Sequence, residues 1–153
     1  MNVRQAEIGE LDEVFLMGYD AWGADLPMQM YIESCLASYK YRQGRFFVLE
    51  DNDGRLLSSC IVYPLAAFGG IVSERAVGIG SLATLSSERH KGYASLLLSL
   101  LMKHLEGDGV DAFFIHADIH PKFYENLGFK PAPKSMQMNA GTGATFAGGT
   151  VPM

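Results

Sequence analysis

The stretch from Gly78 to Ala117 constrains the fold more than any other. A strand with Gly78 and Gly80 in its interior runs to Leu85, a short turn follows, and from Gly92 the period becomes helical. Tyr93, Leu96, Leu97, Leu100, Leu101, His104 and Leu105 form one apolar face, ended by Gly107 and Gly109. Asp111–Ala117 is then a compact apolar run of central-strand length. Strand, helix and strand in succession is the signature of a parallel crossover, so the chain reads as an α/β or α+β sheet with at least one such crossover. Glycines inside the first strand point to a bulge or a close backbone approach.

The rest of the chain fits around that unit. Val3–Ile8 alternates as a first strand, and Leu11, Val14, Phe15, Gly18 and Trp22 recur as one helical face. Met28–Tyr41 is a looser second helix. Arg45–Glu50 and Arg55–Tyr63 flank the turn Asp51-Asn52-Asp53-Gly54 as a hairpin. Gly69-Gly70 marks the next break, after which Ile71–Leu85 reads as a long strand or strand pair. Phe123–Leu127 is a helical turn closed by Gly128, followed by a break at Pro131 and Pro133 and a strand at Ser135–Asn139. We expect one domain over residues 1–139 and a Gly/Thr/Ala-rich tail over 140–153, ordered only where a partner or the sheet holds it. A chain of 153 residues buries about two-thirds of its surface and needs no disulfide or metal staple.

Charge narrows the function. The net charge is −5, all of it in residues 1–70, which disfavours nucleic acid and anionic membrane as partners. The longest apolar stretch, Ala94–Met102, falls far short of the roughly 20 residues of a membrane span, so the expected location is cytoplasmic. Cys35 and Cys60 lie 25 positions apart without CxxC or Cys/His spacing, and read as small apolar residues in a reducing compartment. His116-Ala117-Asp118-Ile119-His120 crosses from strand into loop without a supporting cluster, so no metal is expected.

The chemistry concentrates where the long helix starts. In Arg89-His90-Lys91-Gly92-Tyr93-Ala94-Ser95, unpaired backbone N–H groups and the positive dipole end meet small residues that let a phosphate approach, and Arg89 and Lys91 add charge beside the same spot. Arg89–Ala94 resembles the Q/R-x-x-G-x-G/A pyrophosphate loop of the GNAT family, the GCN5-related N-acetyltransferases. Phe123-Tyr124-Glu125-Asn126-Leu127-Gly128-Phe129 resembles that family's aromatic-Tyr-x-x-x-Gly-Phe motif. The likeness covers Ile79–Phe129.

The resemblance implies a mixed, mostly antiparallel central sheet with helices on both faces and the parallel crossover at the cofactor site. It also implies acetyl-CoA as co-substrate, with the amides of His90 to Ser95 around the pyrophosphate and the backbone of Leu82, Ala83 and Thr84 pairing with the pantetheine as an added strand. Tyr124 reads either as core or, by the resemblance, as the acid that protonates the CoA thiolate. Where the family often carries Asn, seven residues before that tyrosine, this chain has Ala117; Asp118 is expected to cap the helix that Pro121 starts. The general base stays open among Asp20, Glu33, Glu74, His116 and water. Tyr19, Asp20, Trp22, Asp25, Tyr31, Glu33, Tyr39 and Tyr41 crowd the segment that covers the acceptor in this family; they suit a cationic amine and suit equally a packed helix with an acidic rim. The expected reaction is direct acetyl transfer in a ternary complex to a primary amine of a small molecule or peptide, by a monomer or a homodimer. The rivals are a non-catalytic acyl-CoA sensor and a different phosphate ligand, the latter disfavoured by the missing GxxxxGK[ST] pattern.

Overall fold

The structure is a computed structural model and describes residues 1–65, 75–115 and 119–131. Its elements are β1 (Asn2–Gln5), a 3₁₀ turn (Ile8–Glu10), α1 (Leu11–Leu16), α2 (Tyr19–Trp22), α3 (Met28–Ala37), α4 (Tyr39–Gln43), β2 (Arg45–Glu50), β3 (Leu56–Pro64) and β4 (Ala76–Thr84). A second 3₁₀ turn (Ser86–Glu88), α5 (Tyr93–Gly107), β5 (Ala112–Ile115) and α6 (Pro121–Glu125) complete them. The strands join in the order β1-β2-β3-β4-β5, antiparallel except for the parallel β4–β5 pair. That parallel pair, with α5 between its strands in sequence, is the crossover expected from the sequence. In β3, residues Leu56 to Tyr63 are all buried, on both alternating sides of the strand, so both sheet faces are covered. Contacts divide the chain into two compact units: Met1–Ile61 with Ser81–Leu101, and Val62–Gly80 with the chain from Met102 on.

In the first unit the hairpin forms as its turn chemistry dictates. Gly54 takes φ +79°, while Asp51 Oδ1 accepts from the N–H groups of Asp53 and Arg55, both at 2.9 Å. Two expected helices are each broken in two. Between α1 and α2, Gly18 lies against the Trp22 ring, where an added Cβ would sit 2.1 Å from ring carbons. Between α3 and α4, Ser38 turns to ψ 123° and its hydroxyl accepts from the Tyr41 N–H, starting a new helix. The apolar spacing survives both breaks, which is why periodicity did not reveal them.

The buried stripe of α5 is Leu97, Leu98, Leu101 and Leu105, whereas Leu100 is 37% exposed and His104 is exposed. A helix leucine-rich on several sides leaves periodicity little power to choose among neighbouring stripes. In the second unit, β4 and β5 pair from Ala76↔Ala112 to Ile79↔Ile115. Gly78 supplies the close approach expected of it: a Cβ there would meet the Tyr63 ring at 2.4 Å. The α6 cap is His120 rather than Asp118, its Nδ1 accepting from the Lys122 N–H at 3.2 Å. Gly69, Gly70, Glu74, His116, Ala117, Asp118, Pro133, the strand at Ser135–Asn139 and the tail from Ala140 lie outside the described residues.

Candidate functional site

At the end of β4 the chain turns back through two left-handed residues, His90 at φ +63° and Gly92 at φ +83°, before α5 begins. Gly92 needs no Cβ to occupy that region, and the space a Cβ would take is open, with nothing within 4 Å. The Leu96 N–H donates to the Gly92 carbonyl at 3.0 Å as the first turn closes. The N–H groups of Tyr93, Ala94 and Ser95 therefore precede any helical carbonyl they could use, and they sit at the positive end of a 15-residue helix. Unpaired amides beside open space at Gly92 suit a diphosphate.

The two cations beside it are already committed. Arg89 forks onto Asp20 at 2.6 and 2.9 Å, and its Nε donates to the Thr84 carbonyl at 3.1 Å. Lys91 donates to Glu88 at 2.8 Å, and Arg55 reaches the same carboxylate at 2.9 Å. The Lys91 hydrogen bond above all holds the Glu88 carboxyl below the usual carboxylate range. Arg89 and Lys91 thus bring their charge to this turn already paired with carboxylates. Arg89 ties the α1–α2 segment to the end of β4, and Lys91 and Arg55 share the single charge of Glu88, so the turn keeps positive charge beside the backbone amides. Asp20 carried no sequence signal for this role, because the Asp20–Arg89 pair spans 69 positions.

Along β4, Ser58 of β3 donates to the Ala83 carbonyl at 2.7 Å, so Ala83 faces β3. Alternation turns the backbone groups of Leu82 and Thr84 to the opposite edge, where Arg89 holds the Thr84 carbonyl. The left-handed residue in this strand is Ser81, at φ +47°, and neither Gly78 nor Gly80 has positive φ. Its hydroxyl lies 2.9 Å from the Tyr41 hydroxyl and 3.5 Å from Lys40 Nζ. Sequence reasoning missed Ser81, since only glycine signals a left-handed position.

Of the aromatic and acidic residues singled out in the N-terminal helices, Tyr19, Asp20, Tyr31 and Tyr41 have structural partners. Tyr31 is buried against Tyr19, with ring centroids 5.3 Å apart, and the Tyr19 hydroxyl donates to the Leu26 carbonyl. Tyr41 stacks on Phe15 and meets Phe46 edge-on. Trp22, Asp25, Glu33 and Tyr39 are exposed. Among the base candidates, Asp20 is bonded twice by Arg89, which lowers its pKa and makes it a poor proton acceptor. Glu33 accepts from Gln29 at 3.2 Å, and Glu74 and His116 lie outside the described residues.

In the second unit, Tyr124 is 3% exposed, edge-on to Phe123 at 5.0 Å and to Phe129 at 6.3 Å. Gly128 at φ +93° ends α6, and the Phe129 N–H returns to the Tyr124 carbonyl at 3.1 Å. The aromatic-Tyr-x-x-x-Gly-Phe pattern thus has a physical basis as a glycine-terminated helix stapled by its flanking rings. Among the described residues, no group of three His, Cys, Asp or Glu is placed to hold a metal, and no helix is long and apolar enough to cross a membrane.

This loop-and-strand arrangement belongs to a known class. The acetyltransferase (GNAT) domain family matches residues 2–132, through both units, and the chain belongs to that family of acyltransferases. Solved structures share the fold. A GNAT family acetyltransferase from Brucella melitensis in complex with acetyl-CoA is 18% identical, with a TM-score of 0.60 over 84% of this chain and 82% of that one. A spermidine N-acetyltransferase chimera from Vibrio cholerae and hSSAT is 17% identical, with a TM-score of 0.65 over 87% and 82%. A transcriptional regulator from Bacillus halodurans is 21% identical, with a TM-score of 0.63 over 86% and 94%. Among curated proteins, none matches the sequence significantly.

Proposed function

We propose that the protein is an N-acetyltransferase that moves the acetyl group of acetyl-CoA to a primary amine of a small molecule or peptide, by direct attack within a ternary complex. The observation that carries this reading is the open turn at Gly92, where left-handed His90 and Gly92 lead into the first amides of α5 and a Cβ on Gly92 would meet nothing within 4 Å. In this reading the backbone from His90 to Ser95 holds the pyrophosphate, with Lys91 at its margin. The backbone groups of Leu82 and the Thr84 N–H pair with the pantetheine amides, while Ala83 stays bonded to β3 and Arg89 holds the Thr84 carbonyl and fixes the strand end. The thioester supplies an activated acyl carbon, and the chain contributes orientation and proximity. Tyr124 is the proposed donor of the proton that the departing thiolate takes up.

The acetyl-CoA complex and the spermidine enzyme among the structural neighbours support this donor and an amine acceptor. We read residues 1–139 as one catalytic domain with a tail over 140–153. A cytoplasmic location suits two buried free thiols, of which Cys60 is pushed up to about 12 by burial. The test is release of free CoA thiol from acetyl-CoA across a panel of polyamines, amino acids and peptide N-termini. Turnover that requires one class of amine is expected. Tight acetyl-CoA binding with no acceptor-dependent release across the panel would favour the sensor instead.

A further inference from the structure

The Ser81 hydroxyl is set up in an unusual way. Ser81 holds a left-handed conformation inside a strand, a strained position for a non-glycine residue. Such a kink re-aims a side chain. Its oxygen then meets two donors. The Tyr41 ring is enclosed by Phe15 and Phe46, and burial raises its phenol above the ordinary range, so it keeps its proton. Among the described residues the one polar partner of that hydroxyl is Ser81 Oγ, 2.9 Å away, a pair in which either oxygen can carry the shared proton; with the phenol as donor its own proton is satisfied and Ser81 accepts. Lys40 Nζ, which has no lone pair, can only donate, and it lies 3.5 Å from the same oxygen. A serine oxygen has two acceptor positions and one proton. With both acceptor positions filled, its own O–H remains to be donated, polarised by a neighbouring ammonium.

We propose that the Ser81 hydroxyl is a hydrogen-bond donor to the thioester carbonyl oxygen, with Tyr41 and Lys40 as the positioning residues that orient its proton. This rests on the donor reading above. A pantetheine running from the amides of α5 back along Thr84 to Leu82 reaches Ser81 next, at its thioester end. Attack by the amine nitrogen forms the C–N bond and moves the carbonyl π pair onto oxygen, which the Ser81 O–H stabilises. Collapse restores the C=O, breaks the C–S bond and sends the electron pair out with sulfur, which takes its proton from Tyr124 while the amine nitrogen gives up a proton to solvent, and solvent reprotonates the phenol. A donor aimed where charge develops accelerates the step without tightening ground-state binding to the same degree.

Two readouts need no knowledge of the acceptor: the infrared carbonyl stretch of bound ¹³C-acetyl-CoA, and slow release of CoA thiol with water as nucleophile. Calorimetry supplies acetyl-CoA affinity alongside. For Ser81→Ala, and for Ser81→Gly, which relieves the left-handed strain, we expect affinity within a few-fold of wild type. The carbonyl stretch should move back toward that of the free ligand, and thiol release should fall by roughly 10²-fold, at the lower end for loss of an oxyanion donor. Tyr41→Phe should move the stretch part of the way. An unchanged stretch and rate in both Ser81 variants would overturn the proposal. So would variants that are folded but no longer bind acetyl-CoA, since Ser81 would then serve the binding site as a whole. Failure of wild type to bind acetyl-CoA would overturn the donor reading itself, and this inference with it.

Discussion

Replacing Gly92 separates the cost of a backbone conformation from the loss of an anion site. At φ +83° an L-residue costs about 1–2 kcal/mol, and the open space around the position adds no steric penalty. Gly92→Ala and Gly92→Glu should therefore lose similar stability, a drop in Tm of about 2–8 °C for a domain of this size. Binding should split them. Alanine leaves the amides of Tyr93, Ala94 and Ser95 approachable. Glutamate places a carboxylate roughly 4 Å from the diphosphate, where each like-charge pair costs between about 1 kcal/mol in water and 4 kcal/mol at a partly shielded surface. Two such pairs cost at least about 2 kcal/mol, or some 30-fold in affinity. Calorimetric titration of CoA into the two folded variants measures the difference. A folded Gly92→Glu protein that binds CoA as tightly as wild type would refute the placement of the diphosphate at this turn.

Other substitutions probe separate parts of the account. Tyr124→Phe should keep acetyl-CoA affinity within a few-fold and lower turnover by roughly 10²–10⁴, as loss of a general acid does; unchanged turnover would leave Tyr124 with its packing alone. Arg89→Lys and Asp20→Asn break a half-exposed fork and should each cost no more than about 1 kcal/mol, with CoA affinity changed little; a large loss of affinity in Arg89→Lys would put the guanidinium on the ligand. Hydrogen bonding from Arg4 holds the Glu10 carboxyl at about 2, from an ordinary 4.5. Its contribution is complete above pH 4.5 and is lost as pH falls through about 2. Glu10→Gln should cost roughly 1–2 kcal/mol at pH 7 and less at pH 3, read from urea titrations at the two values, and an equal cost at both would contradict the ion-pair origin.

What could be read from the sequence was what short-range chemistry controls. Asp51-Asn52-Asp53-Gly54 makes its turn from its own side chain and glycine, and the Arg89–Ser95 loop announces itself by Gly92. Gly128 likewise takes the left-handed turn that follows α6, although the helix itself runs Pro121–Glu125 rather than Phe123–Leu127. Features decided by distant partners were hidden: the commitment of Arg89 to Asp20, the sharing of Glu88 by Lys91 and Arg55, and the left-handed Ser81 beside Tyr41. The α1–α2 and α3–α4 breaks escaped for a different reason, because a short interruption can preserve the apolar spacing on which a helix is recognised. The cap at His120 shows the limit of propensity, since a ring nitrogen filled a position where Asp118 was the better prior.

The central claim is that the turn at Gly92 and the edge of β4 together hold acetyl-CoA, and thermal shift against three ligands tests it most directly. Acetyl-CoA and CoA at about 100 times their Kd should each stabilise the protein by about 2.7 kcal/mol, raising Tm by several degrees. ATP at the same concentration, which has phosphates but no pantetheine, should leave Tm nearly unchanged. Equal shifts from ATP and acetyl-CoA, or none from either, would contradict the account.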